Sequence, residues 1–165
     1  MVHKLLLSVF LAFLCCSCKF NPRVDNTGDS TLQGIWDEDK KPFEEKLASV
    51  EKYKLKFICD SFYLDIKSHT RVNLDAGECY SRQEWSEYVK GTYVRKDDFL
   101  YLTGSFVNEH YRYKPQGSCY RFGKYEEKFL ISQQGTDSLE LRNTLTGITH
   151  LVILKQRVDC KNNQE

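Results

Sequence analysis

The chain of 165 residues lacks the compact motifs on which many enzyme classes depend. It has no Gly-x-Ser-x-Gly segment for a serine nucleophile, no glycine-rich phosphate loop and no Cys-x-x-Cys pair for redox or zinc chemistry. Its four histidines, including His69, His110 and His150, are isolated and lack the i, i+2 or i, i+4 spacing of a metal-binding pair. We therefore expect no metal, no cofactor and no enzymatic activity.

An excess of either charge is also missing. Lys and Arg total 24 and Asp and Glu total 23, and without residues 1–17, which contain only Lys4 among these, the count is 23 against 23. A nucleic-acid-binding protein normally carries a basic excess gathered on one face. Nucleic acid is therefore not expected as a partner.

No apolar run is long enough to span a membrane permanently. The longest, residues 5–16, has 12 residues, follows the basic Lys4 and is ended by Lys19. A spanning helix needs about 20 apolar residues, whereas a cleavable secretory leader has a short basic start, a run of this length and a small residue at the cleavage site. The first 17 residues therefore predict a signal peptide.

The end of this leader, Leu14-Cys15-Cys16-Ser17-Cys18, resembles a bacterial lipobox, although Cys15 stands where an aliphatic residue is usual. The resemblance implies that residues 1–17 are removed and that lipid on Cys18 anchors the chain to a membrane. Because Lys19 rather than Asp follows, lipoprotein sorting would favour the outer membrane, facing the periplasm. Residues 18–31 are polar and turn-rich and predict a flexible tether. An ordinary secreted protein is the alternative.

Cysteine usage fits an exported domain. Of seven cysteines, two leave with the leader and Cys18 takes the lipid, which leaves Cys59, Cys79, Cys119 and Cys160. An even number of widely spaced cysteines in an oxidising compartment predicts two structural disulfides. All three connectivities remain open, and one bridge with two buried thiols is the alternative.

From residue 32 onward, apolar and polar residues alternate with period two in short segments separated by Gly, Asp, Asn and Ser, which is typical of β-strands. The predicted strands cover residues 32–36, 54–59, 62–67, 87–95, 99–106, 119–122 running into 125–133, 138–142 and 148–155. One short helix is predicted at residues 42–50. Seven or eight antiparallel strands leave exposed edges unless the sheet closes, so we expect a single monomeric β-barrel domain at residues 32–160.

Gly34-Ile35-Trp36 opens the first predicted strand and resembles the Gly-x-Trp motif of lipocalin-like (calycin-type) barrels. These include small lipoproteins of the Bacteroidetes type, to which the chain is similar. The resemblance implies that Trp36 plugs the closed end of an all-β barrel and that Arg157, after the last strand, lies across its ring. Gly34, Trp36 and Arg157 would then be structural.

Aromatic residues make up 13% of the chain, and Tyr111, Tyr113 and Tyr120 surround one loop. A tyrosine offers a ligand both an apolar face and a hydroxyl. His150 is the best histidine candidate, because the alternation turns it away from Leu151 and into the barrel. We expect these four residues to bind an apolar or amphipathic ligand, or to lie where a partner protein of the envelope is held.

Two alternatives remain. A barrel of about eight strands can be packed solid, which would leave a purely structural or interaction role in the envelope. Small lipoproteins that this chain resembles are sometimes labelled as fumarate hydratases, which gives a remote hydratase alternative. An iron–sulfur hydratase needs three clustered thiolates, and cysteines paired in disulfides would not supply them.

Overall fold

The computed structural model describes residues 28–39, 44–72, 79, 83–133 and 135–160. The predicted leader, Cys18 and the tether up to residue 27 lie outside these ranges. Residues 28–31, the end of the predicted tether, contact the barrel: the backbone N–H of Asp29 donates to the Tyr93 hydroxyl at 3.0 Å. Within the described ranges, no helix has the length and apolar character needed to cross a bilayer.

Eight antiparallel strands form a closed barrel, as the alternating pattern predicts. They are β1 (Gly34–Glu38), β2 (Ser49–Ile58), β3 (Ser61–Thr70), β4 (Glu84–Lys96), β5 (Phe99–Val107), β6 (Lys124–Gln133), β7 (Ser138–Asn143) and β8 (Thr149–Gln156). Each strand pairs with the next in sequence, and β8 pairs with β1 to remove both edges. The fold is thus the small lipocalin-like all-β barrel.

Two predicted segments form a different kind of structure, whereas the predicted strands differ at their ends. In the described part of the predicted helix, only Glu44–Lys46 forms a 3-10 turn, because Ser49 and Val50 already pair with β3. Residues 119–122 are not part of a strand. The backbone N–H of Arg121 donates to a Glu87 side-chain oxygen at 2.9 Å instead of to a neighbouring strand, so this segment forms a loop before β6.

Glycine allows close backbone approach at two places. A Cβ atom on Gly34, whose φ is +150°, would lie 2.6 Å from the carbonyl oxygen of Gln156. A Cβ on Gly91 would lie 2.1 Å from the carbonyl oxygen of Thr103 in the neighbouring strand. Since real side chains do not reach such distances, any other residue at either position would push the paired strands apart.

The two ends of the barrel differ in what fills them. At the packed end, where β1 begins and β8 ends, large inward-facing side chains are at most 1% exposed; they include Trp36, Leu55, Phe57, Phe62, Leu64 and Leu102. Burying each such side chain contributes about 1.5 to 3 kcal/mol. At the polar end, where β1 ends and β8 begins, the inward positions carry Glu38, Glu87, Asn143 and His150.

The structure contains one disulfide at each end of the barrel. The predicted number of two disulfides is confirmed, and the structure shows which of the three possible pairings is formed. Cys59 is bonded to Cys160 across a sequence separation of 101, and this bond lies at the packed end. Cys79 is bonded to Cys119 across a separation of 40, and this bond joins the β3–β4 connection to the β5–β6 loop at the polar end.

Candidate functional site

The alternation of strand residues brings carboxylates into the polar end of the barrel. Each of them lies two positions from a large inward-facing residue and therefore points to the same side of its strand. Four strands contribute one each: Glu38 in β1, Glu51 in β2, Glu87 in β4 and Glu127 in β6. No two of these residues are neighbours in sequence, so only the closed sheet gathers them.

Glu38 and His150 form a buried pair. Oε2 of Glu38 lies 2.9 Å from Nδ1 of His150, and the two side chains are 0% and 4% exposed. The backbone N–H of Tyr53 donates to the same carboxylate oxygen at 2.8 Å. The Tyr53 ring stacks on the imidazole with centroids 3.8 Å apart and 15° between their planes. The orientation of His150 is therefore fixed on two sides.

A loop residue, Arg121, reaches the polar end from outside the strands. Its Nη2 atom lies 2.7 Å from Oε2 of Glu87 and 3.1 Å from Oε1 of Glu51. Its guanidinium carbon stands 5.2 Å from the centroid of the Phe106 ring. Burial raises the pKa of Glu87, but the hydrogen bonds and charge of Arg121 outweigh it and hold that pKa below the ordinary value.

Glu127 has a different environment. Desolvation by burial raises the pKa of its carboxyl above the ordinary value. Its Oε2 atom is buried and has no hydrogen-bond partner within the ranges that the structure describes. The structure also gives Glu127 no ion pair with any cationic side chain of those ranges.

Ser68 is a second inward-facing group of this kind. The residue is 3% exposed, and its hydroxyl has no hydrogen-bond partner in the described part of the chain. It pairs with Glu51 of β2 on one side and with Trp85 of β4 on the other. A buried polar atom without a partner costs about 1 to 3 kcal/mol and indicates a bound water or ligand.

The structure divides the predicted ligand-binding residues between two places. His150 lies inside the polar end, as described above, and Tyr120 reaches its rim by stacking on Trp85, with ring centroids 6.0 Å apart. Tyr111 lies instead on the outer wall, where its hydroxyl hydrogen-bonds Asp65. Tyr113 is also outside, 73% exposed, with the Lys90 ammonium 4.7 Å from its ring centroid.

The predicted barrel-closing residues lie together at the packed end. Trp36 is 1% exposed, and its indole N–H donates to the carbonyl oxygen of Leu32 at 2.8 Å. The guanidinium carbon of Arg157 stands 5.7 Å from the Trp36 ring centroid. Arg157 also donates to the carbonyl oxygen of Thr31 at 3.0 Å, and Gly34 gives β8 the room described above.

Sequence reasoning missed the four glutamates and Arg121. The signal for the glutamates was present, since Glu87 and Glu127 stand two positions from Val89 and Phe129 within alternating segments. A search of the sequence for carboxylates at inward positions near strand ends would have identified these glutamates. No comparable pattern marks Arg121, because it belongs to a loop.

The site does not have the form of a metal centre. Among the described residues, no group of three or more His, Cys, Asp or Glu side chains is arranged to hold a metal ion. A groove of about 730 Å³ lies between the 3-10 turn and β2 to β4, and Ser68 and Trp85 are among its lining residues. Its lining mixes charges of both signs, as in the ion pair between Lys52 and Glu44 at 2.8 Å.

No family model, no curated protein and no solved structure matches the chain. Its function must therefore be argued from the chemistry of its own side chains. In the part of the chain that the structure describes, the polar end offers aromatic rings, inward-facing carboxylates and two buried polar atoms without hydrogen-bond partners, the Ser68 hydroxyl and Oε2 of Glu127. This combination can bind a molecule.

Proposed function

We propose that this protein is a lipid-anchored lipoprotein of the bacterial envelope whose barrel binds a small amphipathic ligand at its polar end. The leader and the Cys18 pattern support the anchor. The buried hydroxyl of Ser68 and the buried Oε2 atom of Glu127 support ligand binding, because neither atom has a hydrogen-bond partner among the described residues.

An amphipathic ligand fits better than a purely apolar one. The apolar half of the interior is already filled by buried side chains such as Trp36, Phe57 and Phe62. The polar end contains buried aromatic rings, including Tyr53 and Phe129 with centroids 6.5 Å apart, beside its carboxylates. A molecule with an apolar body and a polar group would contact both kinds of surface.

The proposal is of binding without catalysis. Among the described histidines, we assign His150 to the site, and its side chain is 4% exposed, hydrogen-bonded to Glu38 and covered by Tyr53. A general acid or base must come within hydrogen-bond distance of its substrate. The disulfides also occupy Cys59, Cys79, Cys119 and Cys160, so these four supply no thiolates for an iron–sulfur hydratase.

Binding is tested with the mature chain carrying Cys18→Ser, titrated with the fluorescent amphipathic probe N-phenyl-1-naphthylamine. We expect saturable binding that Ser68→Phe abolishes, because the new ring would occupy the position beside Glu51 that we assign to the ligand. Ser105→Phe, on the outer wall of β5, is the matched control and should bind like the parent. Thermal melts check that both variants fold. If the parent binds no probe saturably, the purely structural or partner-holding role replaces this proposal.

The anchor is tested separately by expressing the full chain and its Cys18→Ala variant with radiolabelled palmitate. We expect the parent to incorporate label and sediment with outer membranes. The variant should incorporate none and should appear as precursor or soluble protein. Unlabelled parent protein, with membrane attachment unchanged in the variant, would contradict a lipid anchor.

A further inference from the structure

We infer that the ligand of the polar end is a small organic cation, a protonated amine on an aromatic or aliphatic body, whose ammonium group binds beside Glu127. This inference rests on the proposed function and names the chemical class of its ligand. It depends on three observations: the charges in the site, the buried atoms without partners and the rings around them.

The charges come first. Four glutamates line the polar end, and the described residues pair three of them with Arg121 and with the imidazole of His150. Arg121 contacts Glu87 and Glu51, and His150 contacts Glu38. Glu127 is thus the glutamate to which the described residues bring no cation in contact. A buried carboxylate without a counter-ion is costly, so a cationic ligand would stabilise it.

The buried atoms give the second observation and are independent of the charges. Ser68, 3% exposed, points into the barrel with an unpartnered hydroxyl, and Oε2 of Glu127 is likewise unpartnered in the described ranges. Glu51 connects the two, since it pairs with Ser68 in the sheet and contributes to the raised pKa of Glu127. An ammonium group donates up to three hydrogen bonds and accepts none, which suits these two acceptors.

Aromatic rings near Glu127 give the third observation. Phe129 lies two positions from Glu127 on the inward face of β6, and its ring contacts those of Tyr53 and His150 edge-on, at 6.5 Å and 6.3 Å. Ring faces attract cations by about 0.5 to 2 kcal/mol. The protein already binds one cation in this way, because the Arg121 guanidinium lies over Phe106 while contacting two carboxylates.

A divalent metal ion fits the site less well than an amine. The glutamates stand on four different strands, and no three potential ligands converge within the described residues. Hard metal ions require several oxygen ligands at short range, whereas an ammonium needs one carboxylate and a few acceptors. The site therefore favours an organic cation.

The test compares three matched probes by isothermal titration calorimetry on the mature lipidated chain in non-ionic detergent. The probes are 2-phenylethylamine, 2-phenylethanol and 3-phenylpropanoate, which share an apolar body and differ in charge. We expect the amine to bind at least about tenfold more tightly than the alcohol, because one charge-assisted hydrogen bond is worth about that factor. The carboxylate should bind most weakly.

Two variants of Glu127 and one control variant test whether Glu127 causes the preference for the amine. Glu127→Gln should reduce the affinity for the amine about tenfold and leave that for the alcohol unchanged. Glu126→Gln is the control, because Glu126 precedes it in β6 but is exposed and pairs with Lys124 at 2.7 Å. Glu127→Asp keeps the negative charge and should retain preference for the amine. If Glu127→Gln does not fold, the probe series on the parent and on Glu127→Asp decides the result.

The outcomes separate the two proposals. Equal binding of the three probes, tighter binding of the carboxylate, or an unchanged preference in Glu127→Gln would overturn the cation inference while leaving a binding barrel. Binding of none of these probes, and none of the neutral naphthylamine probe, would overturn the proposed function itself.

Discussion

The packed end and the polar end of the barrel both contain buried polar groups, but they satisfy them differently. At the packed end, the Gln33 amide donates to the Cys59 carbonyl oxygen at 2.8 Å and accepts from the Cys59 N–H at 2.7 Å. The same amide donates to the Tyr93 hydroxyl at 2.8 Å. These bonds join an uncharged side chain to fixed backbone groups, so they hold the turn between β2 and β3 in one conformation.

At the polar end, charged side chains contact one another, and among the residues that the structure describes four glutamates face inward. Glu87 has a lowered pKa and Glu127 a raised one, although both are inward-facing glutamates near strand ends. The difference between them is Arg121, which forms an ion pair with Glu87, whereas the described residues form none with Glu127. The comparison teaches that the alternation of strand residues decides which side chains face inward, while loop contacts decide whether an inward charge is compensated.

The largest effect is expected from emptying the packed end. Trp36→Ala removes the largest side chain of the core and should lower the free energy of unfolding by about 3 to 5 kcal/mol. Guanidinium titration followed by circular dichroism measures it. Leu145→Ala, at a residue that is 92% exposed, is the control and should change stability by less than about 0.5 kcal/mol. A loss of under about 1 kcal/mol in Trp36→Ala would mean that this end is not the stabilising one.

The two disulfides give the next comparison. Replacing either cysteine pair by serine should cost about 2 to 4 kcal/mol. The packed-end bond, Cys59–Cys160, should cost about 0.8 kcal/mol more, because it closes a separation of 101 residues against 40 for Cys79–Cys119. Denaturation of the two double variants measures the difference. A greater loss from the Cys79–Cys119 variant would show that strain or loop packing outweighs chain entropy.

Much of the fold follows from local pattern. A closed barrel of seven or eight strands and two disulfides could be predicted, since alternation and an even cysteine count are visible in one sequence. Strand ends and the predicted helix were less accurate, because pairing with β3 extended β2 back to Ser49. The disulfide connectivity could not be predicted, since it depends on which turns lie at the same end of a closed barrel.

The candidate site was less predictable than the fold. The tyrosines around the β5–β6 loop are close in sequence, yet Tyr111 lies on the outer wall and Tyr120 at the polar end. Loop direction separates them, and composition does not reveal it. Arg121 neutralises the charge of Glu87 across a sequence separation of 34 residues, and it does so from a loop to a strand. A local sequence pattern therefore cannot predict this contact.

The pH dependence of stability should separate Glu87 from Glu127, although both lie at the polar end. Folding lowers the pKa of Glu87 at the polar end and of Asp29 at the packed end. Both carboxylates therefore stabilise the folded protein above their unfolded-state pKa values. This stabilisation is lost as the pH falls through their folded-state pKa values. Folding raises the pKa of Glu127, so its effect on stability has the opposite pH dependence. Its stabilising contribution is fully present below its unfolded-state pKa and is lost as the pH rises through its folded-state pKa.

Glu87→Gln should therefore cost about 1 to 3 kcal/mol at neutral pH, because Arg121 loses its closest carboxylate, and should flatten the loss of stability in acid. Glu127→Gln should instead raise stability at neutral pH. Urea titrations between about pH 3 and 8 measure both. Parallel pH profiles for the two variants would contradict the assignment of opposite shifts.

The smallest effect is expected at the rim of the packed end, where the guanidinium of Arg157 stands 5.7 Å from the Trp36 ring centroid and its side chain is 49% exposed. Arg157→Ala should cost only about 0.5 to 1 kcal/mol, because a cation over an aromatic ring is weak where water reaches it. It should also shift the emission of Trp36, measured in a Trp85→Phe background. Arg142→Ala, on the exposed face of β7, controls for loss of a positive charge and should leave the emission unchanged. Because Arg157 lies at the opposite end from Glu127, its removal should leave amine binding unaltered, and a weaker amine affinity in this variant would show that the two ends are coupled.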